Sequence, residues 1–182
     1  MRANSVAARL VAGILGGVFA LGAMGCGPDK TPSNSKLMKG LNAYYSAHDD
    51  CLYETAVKFP YTVSMSDTSN EGAKKMDALL AAGLLTKDEE RGLKENRYSL
   101  TPYGNKVGGR FCYGHRVISA VDSFTPPVLE KGYRNTIATY HFTMEDVPTW
   151  AKSDQVLKAF PNMAKATSGT PVQGNRQDKP HL

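Results

Sequence analysis

The chain has 182 residues, with 22 Lys and Arg against 17 Asp and Glu, for a formal charge of +5. That length suits one domain with flexible ends and is enough to bury a core. A hydrophobic content of 41% excludes both a wholly disordered chain and a multi-span membrane protein. Residues 1–25 hold Arg2 and Arg9 and no acid, so 20 basic and 17 acidic groups remain beyond them. A surplus of +3 over residues 26–182 is a weak argument for a nucleic-acid partner.

Leu10 to Met24 is an uncharged run of 15 residues behind the two arginines. As a helix it reaches only about 22 Å, short of a ~30 Å hydrocarbon core. A basic start, a short apolar run and small residues at its end are the pattern of a cleaved export signal. Its last residues, Leu21-Gly22-Ala23-Met24-Gly25-Cys26, resemble the lipobox of bacterial lipoproteins, in which small residues precede a cysteine. The resemblance implies lipidation of Cys26, cleavage after Gly25 and acylation of the new amino end. Two or more acyl chains give stable anchoring where one gives only marginal binding. In that family an Asp directly after the cysteine favours retention at the inner membrane. Gly27 stands there, so the expected location is the outer membrane, facing the periplasm. The other reading is an ordinary secretory signal followed by a chance cysteine.

Gly27 to Ser35 (GPDKTPSNS) is small, polar and proline-containing, as a tether would be. Leu37, Leu41, Tyr44 and Tyr45 recur with helical spacing and predict an amphipathic helix over 35–48. Residues 52–65, with aromatic and β-branched side chains around Pro60, are expected to be extended. Thr68-Ser69-Asn70-Glu71 reads as a capping box for a helix whose apolar stripe is Ala73, Met76, Leu79 and Leu80, with Gly83 at its left-handed end. Strand signals follow around Tyr98 and Leu100, from Phe111 to Ile118, and over 135–143, suggesting a roughly three-stranded antiparallel sheet. A last helix with Val156, Leu157 and Phe160 starts near Ser153 and ends at Pro161. Residues 164–182 are poor in large apolar groups and are expected to form a disordered tail. The order of elements predicts a small α+β domain over 36–163, with helices toward its N-terminus.

The segment from Met76 to Val107 resembles a winged helix: a helix ending Ala-Gly-Leu-Leu, a charged hairpin, then Tyr98-Ser99-Leu100-Thr101-Pro102-Tyr103-Gly104 in place of the family's Y-x-L-T-x-x-G. Such domains usually bind DNA through the helix before the wing. Here that helix offers Lys74 and Lys75 beside Glu71 and Asp77, a nearly neutral face with few phosphate or base-edge donors. A helix–hairpin unit that simply packs is the favoured reading, and no nucleic acid is expected.

Once Cys26 is lipidated, Cys51 and Cys112 form an even pair in an exported chain, which favours a disulfide over two separate buried thiols. No CxxC pair and scattered histidines argue against zinc. His115 and His141 fall on predicted strands. As cross-strand neighbours they would join Asp49 or Asp50 in a metal or pH-sensitive site; the other reading is that both are structural. No elbow, metalloprotease or phosphate-loop motif is present, and neither a catalytic residue nor a cofactor is assigned. With nine tyrosines, some are expected to face water, where they suit protein or glycan contact. The candidate binding residues are Tyr44, Tyr113, His115, Tyr140, His141 and Trp150, the last read chiefly as a plug on the sheet. From Arg110 to Phe160 the chain also looks like exported Gram-negative lipoproteins of undefined activity. The expectation is a membrane-anchored envelope module that binds another envelope component without catalysis. An envelope hydrolase or inhibitor with a His/Asp site is the alternative, and a winged-helix nucleic-acid binder is the third reading.

Overall fold

The computed structural model describes residues 32–67 and 69–178. The expected export signal, Cys26 and most of the expected tether lie outside the described residues, as does Thr68. Helix α1 (Asn34–Tyr45) begins where Ser33 turns its hydroxyl to accept the Lys36 N–H at 3.3 Å. Its Leu41 and Tyr45, one turn apart, are buried. Strand β1 (Tyr61–Ser64) precedes α2 (Glu71–Ala81), and β2 (Leu85–Glu90) and β3 (Glu95–Leu100) form a hairpin. These three strands make an antiparallel sheet in the order β1-β3-β2.

Helix α2 shows why local signals in this stretch are strong. Its N-cap is Asn70, whose side-chain oxygen accepts the Ala73 N–H at 3.1 Å. The helix therefore starts two residues later than a cap at Thr68 would place it, since Asn is an equally good cap nearer the first apolar turn. At the other end Gly83 takes φ 76°, its N–H bonds the Leu80 carbonyl at 2.9 Å, and Leu84 N–H bonds the Leu79 carbonyl at 3.0 Å. That reversal turns Leu84 back into the core beside Leu79, both wholly buried.

The Leu-Thr-Pro-Tyr-Gly stretch then closes the unit. Thr101 accepts the Gly104 N–H at 2.9 Å as the N-cap of α3 (Pro102–Val107), with Pro102 in the first turn, and donates its hydroxyl to the Gly83 carbonyl at 2.9 Å. Gly104 passes so close to Leu84 that a Cβ would run into the Leu84 carbonyl oxygen.

The second sheet is built on β6 (Tyr133–Glu145), which pairs antiparallel with β4 (His115–Phe124), β5 (Val128–Glu130) and β7 (Val172–Asp178). The strand signals at 98–100, 115–118 and 135–143 thus divide between two sheets. Residues 111–114 are not part of β4: Phe111 (φ 50°) and Gly114 (φ 114°) break the extended run. A 3-10 turn (Thr149–Lys152) leads to α4 (Asp154–Ala159) and α5 (Pro161–Ala166); Pro161 both ends α4 and opens α5.

The segment expected as a disordered tail, 164–182, contains the last turn of α5 and all of β7. Poverty in apolar residues misleads here because a strand added to β6 gains its hydrogen bonds from the partner backbone and needs few apolar groups of its own. Gly174 lies against the Tyr140 and Phe142 rings, and Val172 packs on the second core.

Two apolar clusters result. The first gathers α2, the first sheet, Phe111, Trp150, Phe160 and Met163; the second lies between α1 and the second sheet around Leu41, Tyr45, Ile118, Ala138, Tyr140 and Phe142. Helix α1 also covers backbone groups of β4. Asn42 accepts the Ile118 N–H at 2.8 Å and donates to its carbonyl at 3.2 Å, and Asn34 donates to the Val121 carbonyl at 3.0 Å. Two amide side chains thereby serve as a strand partner and occupy backbone groups that invite edge pairing.

Gly104→Ala is expected to lower unfolding stability by ~1–3 kcal/mol through that backbone clash. Gly92→Ala, in open space at the β2–β3 turn, should stay within about 0.5 kcal/mol. Urea unfolding of both variants measures the contrast.

Candidate interaction surface

The loop beyond α1 runs alongside residues 109–114. Asp50 N–H bonds the Gly114 carbonyl at 2.8 Å, Tyr113 N–H returns to the Asp50 carbonyl at 2.8 Å, and Leu52 N–H bonds the Phe111 carbonyl at 3.2 Å. Cys51 and Cys112 face each other within this ladder and are joined as a disulfide across a separation of 61 residues. The bridge therefore ties the linker after α1 to the approach to β4.

The same alignment delivers Asp50 to Arg116. The Arg116 Nε donates to the Asp50 carboxylate at 2.6 Å and Nη1 donates to the Tyr140 hydroxyl at 3.3 Å, while the guanidinium lies 5.2 Å from the Tyr45 ring and 4.5 Å from the Phe142 ring. Burial works against its charge, but the hydrogen bond and field of Asp50 outweigh that and hold its pKa above the ordinary value. The Tyr45 and Tyr140 hydroxyls sit 2.6 Å apart; burial, then the bond to Tyr45, raises the Tyr140 phenol. On the outer side, His48 stacks on Tyr44 at 3.9 Å and its Nδ1–H donates to the Tyr44 carbonyl at 2.7 Å, closing the end of α1. The Arg176 guanidinium of β7 lies 3.4 Å from the Tyr44 ring centre.

Of the six candidate binding residues, three belong to the interior. Tyr140, Trp150 and Tyr113 are 0%, 4% and 8% exposed, which leaves no side-chain surface for a partner. Trp150 is a plug in the first core, edge-on to Phe111 at 6.5 Å, and not a surface hot spot. Tyr44, His115 and His141 are partly exposed. The two histidines are not cross-strand neighbours: His115 stands opposite Glu145 and His141 opposite Ala120. Each has its own carboxylate instead. His115 Nδ1 lies 3.5 Å from Asp146, and His141 Nδ1 lies 2.9 Å from Asp122, which also accepts from Gln173 at 3.3 Å. Among the described residues no three His, Cys, Asp or Glu side chains converge as a metal site.

Helix α2, the DNA-reading element in a winged helix, spends its polar groups within the fold. Lys74 pairs with Glu71 at 2.7 Å, Lys75 lies over Phe160, and Asp77 accepts the Tyr98 hydroxyl at 2.7 Å and Lys87 at 3.2 Å. An open groove between α2 and α4 is lined by Lys74, Asp77, Ala78, Gln155, Lys158 and Ala159. Sequence reading missed Arg116 and Arg176, because neither stands in a local motif; their partners lie far along the chain. Comparison with protein-family models, with curated proteins and with solved structures produced no match.

Removing the bridge with Cys51→Ala/Cys112→Ala should cost roughly 4 kcal/mol in the chain-entropy account, seen as a lower melting temperature under oxidising conditions. With reductant present, the parent and the variant should melt together.

A second expectation concerns alkaline pH. The Tyr53 and Tyr113 phenols are pushed up to about 12 from an ordinary 10.0, by burial first, then by the Tyr61 and Asp50 charges respectively. The Tyr53 hydroxyl is enclosed with no hydrogen-bond partner among the described residues. The folded chain therefore holds these protons more tightly than the unfolded one. The stability they contribute is complete below pH 10 and is lost as pH climbs toward 12. Denaturant midpoints measured across that window should fall, and Tyr113→Phe should make the fall shallower.

Proposed function

We propose that this chain is a lipid-anchored lipoprotein of the bacterial envelope, held by Cys26, that acts as a binding or structural module without catalysis. The observation that carries the reading is the Cys51–Cys112 disulfide. It fits an oxidising compartment, and it leaves Cys26 as the one remaining cysteine of three, placed where the lipobox-like segment requires a thiol. The anchor lies on the outer membrane facing the periplasm, as Gly27 after the cysteine favours. The two histidines of the second sheet stand apart, His115 3.5 Å from Asp146 and His141 2.9 Å from Asp122, and that separation supports binding over hydrolysis.

Expression of the full chain in a Gram-negative host fed labelled palmitate tests this. The protein should take up label, float with membranes, and show the mass of a chain beginning at acylated Cys26. Cys26→Ser should abolish all three. An unlabelled wild-type protein that retains residues 1–25 defeats the reading.

A further inference from the structure

Six large apolar side chains are conspicuously exposed among the described residues, and four of them share one hairpin: Val128 (65%), Leu129 (72%), Tyr133 (51%) and Ile137 (47%). None of the four belongs to either core. The hairpin is a well-formed arm. Strands β5 and β6 pair Val128 with Asn135, Leu129 with Arg134 and Glu130 with Tyr133. Lys131 and Gly132 between them both take positive φ, 50° and 84°, the two-residue turn that matches strand twist.

The side-chain alternation decides what such an arm can meet. Period two places Val128, Tyr133 and Ile137 on one face and Leu129 on the other. A hairpin laid against a protein partner needs one apolar face; apolar groups on both faces suit immersion in a surrounding medium. Lys131 at the turn and Arg134 beside Leu129 supply two cations against the single carboxylate of Glu130, which accepts from the Asn135 amide at 2.9 Å. Aliphatic groups, a tyrosine and flanking cations that can reach back to phosphates are the composition of an interfacial anchor. The chain from Cys26 to Ser33 spans at most about 25 Å, so an anchored domain stays within reach of its bilayer.

We propose that the β5–β6 arm docks into the interfacial layer of an anionic phospholipid surface. This rests on the lipid-anchor reading for its proximity, but the contact is the arm's own.

The test uses the full, lipidated chain on vesicles of phosphatidylethanolamine and phosphatidylglycerol, with Tyr133→Trp as reporter and the parent, whose Trp150 is buried, as background. Emission from position 133 should shift to the blue and be quenched by brominated acyl chains. Leu129→Asp in the same background should remove both effects while the protein still floats with the vesicles. The unlipidated Cys26→Ser form should show the quench only at high lipid concentration. Flotation without quenching overturns the arm's role and leaves the anchor standing. Shielding of the reporter that grows with protein concentration and ignores brominated lipid assigns the arm to a second copy of the chain and overturns the proposal. Failure of the wild-type chain to float overturns the anchor, while a quench by unlipidated protein still upholds the arm.

Discussion

Arg116 is the charge around which the second half of the molecule is arranged. Its guanidinium is drawn in between Tyr45 of α1 and Phe142 of β6, where an unpaired cation would be costly. Asp50 answers that charge, and it can do so only if the linker after α1 runs antiparallel to residues 109–114. The same register sets Cys51 opposite Cys112. Ion pair and disulfide are therefore two outcomes of one backbone alignment. The covalent bond holds the loop that carries the carboxylate, and the carboxylate allows the arginine to be enclosed.

The two apolar clusters depend on this joint in different ways. The first is built largely from neighbours in sequence: α2, the hairpin and α3 fold back through Gly83, Leu84 and Thr101, and the later helices seal it with Trp150 and Phe160. The second joins α1 to strands 70 to 130 residues later, with Tyr45 meeting Tyr140 and Asn42 meeting Ile118. Long closures of this kind carry an entropic cost that a cross-link near residue 51 lowers in the unfolded chain. The disulfide sits where the chain passes from the local cluster to the non-local one.

The polar groups that first suggest chemistry mostly serve this architecture. His48 closes a helix, Asp77 holds Tyr98, and His115 and His141 of the second sheet each stand beside one aspartate, Asp146 and Asp122. What the fold leaves unused is apolar: the β5–β6 arm projects side chains that neither core needs. A soluble domain seldom leaves such groups together without a contact for them. The arm's turn is readable in Glu130-Lys131-Gly132-Tyr133, but its exposure is not, since Val128, Leu129 and Ile137 are equally good core residues until the cores are seen to be complete without them.

The sequence by itself determined the features that rest on short-range physics. The length and composition of the N-terminal run, the stripe and Gly83 stop of α2 and the helix–hairpin order are all local or compositional. Tertiary structure alone decided which strands share a sheet, that residues 172–178 join β6, that Tyr113 and Tyr140 are interior, and that Asp50 answers Arg116. The physical reason is that backbone pairing and the burial of charge are satisfied by whichever partner the chain brings near. The partners here stand tens of residues away, with no local signal to name them.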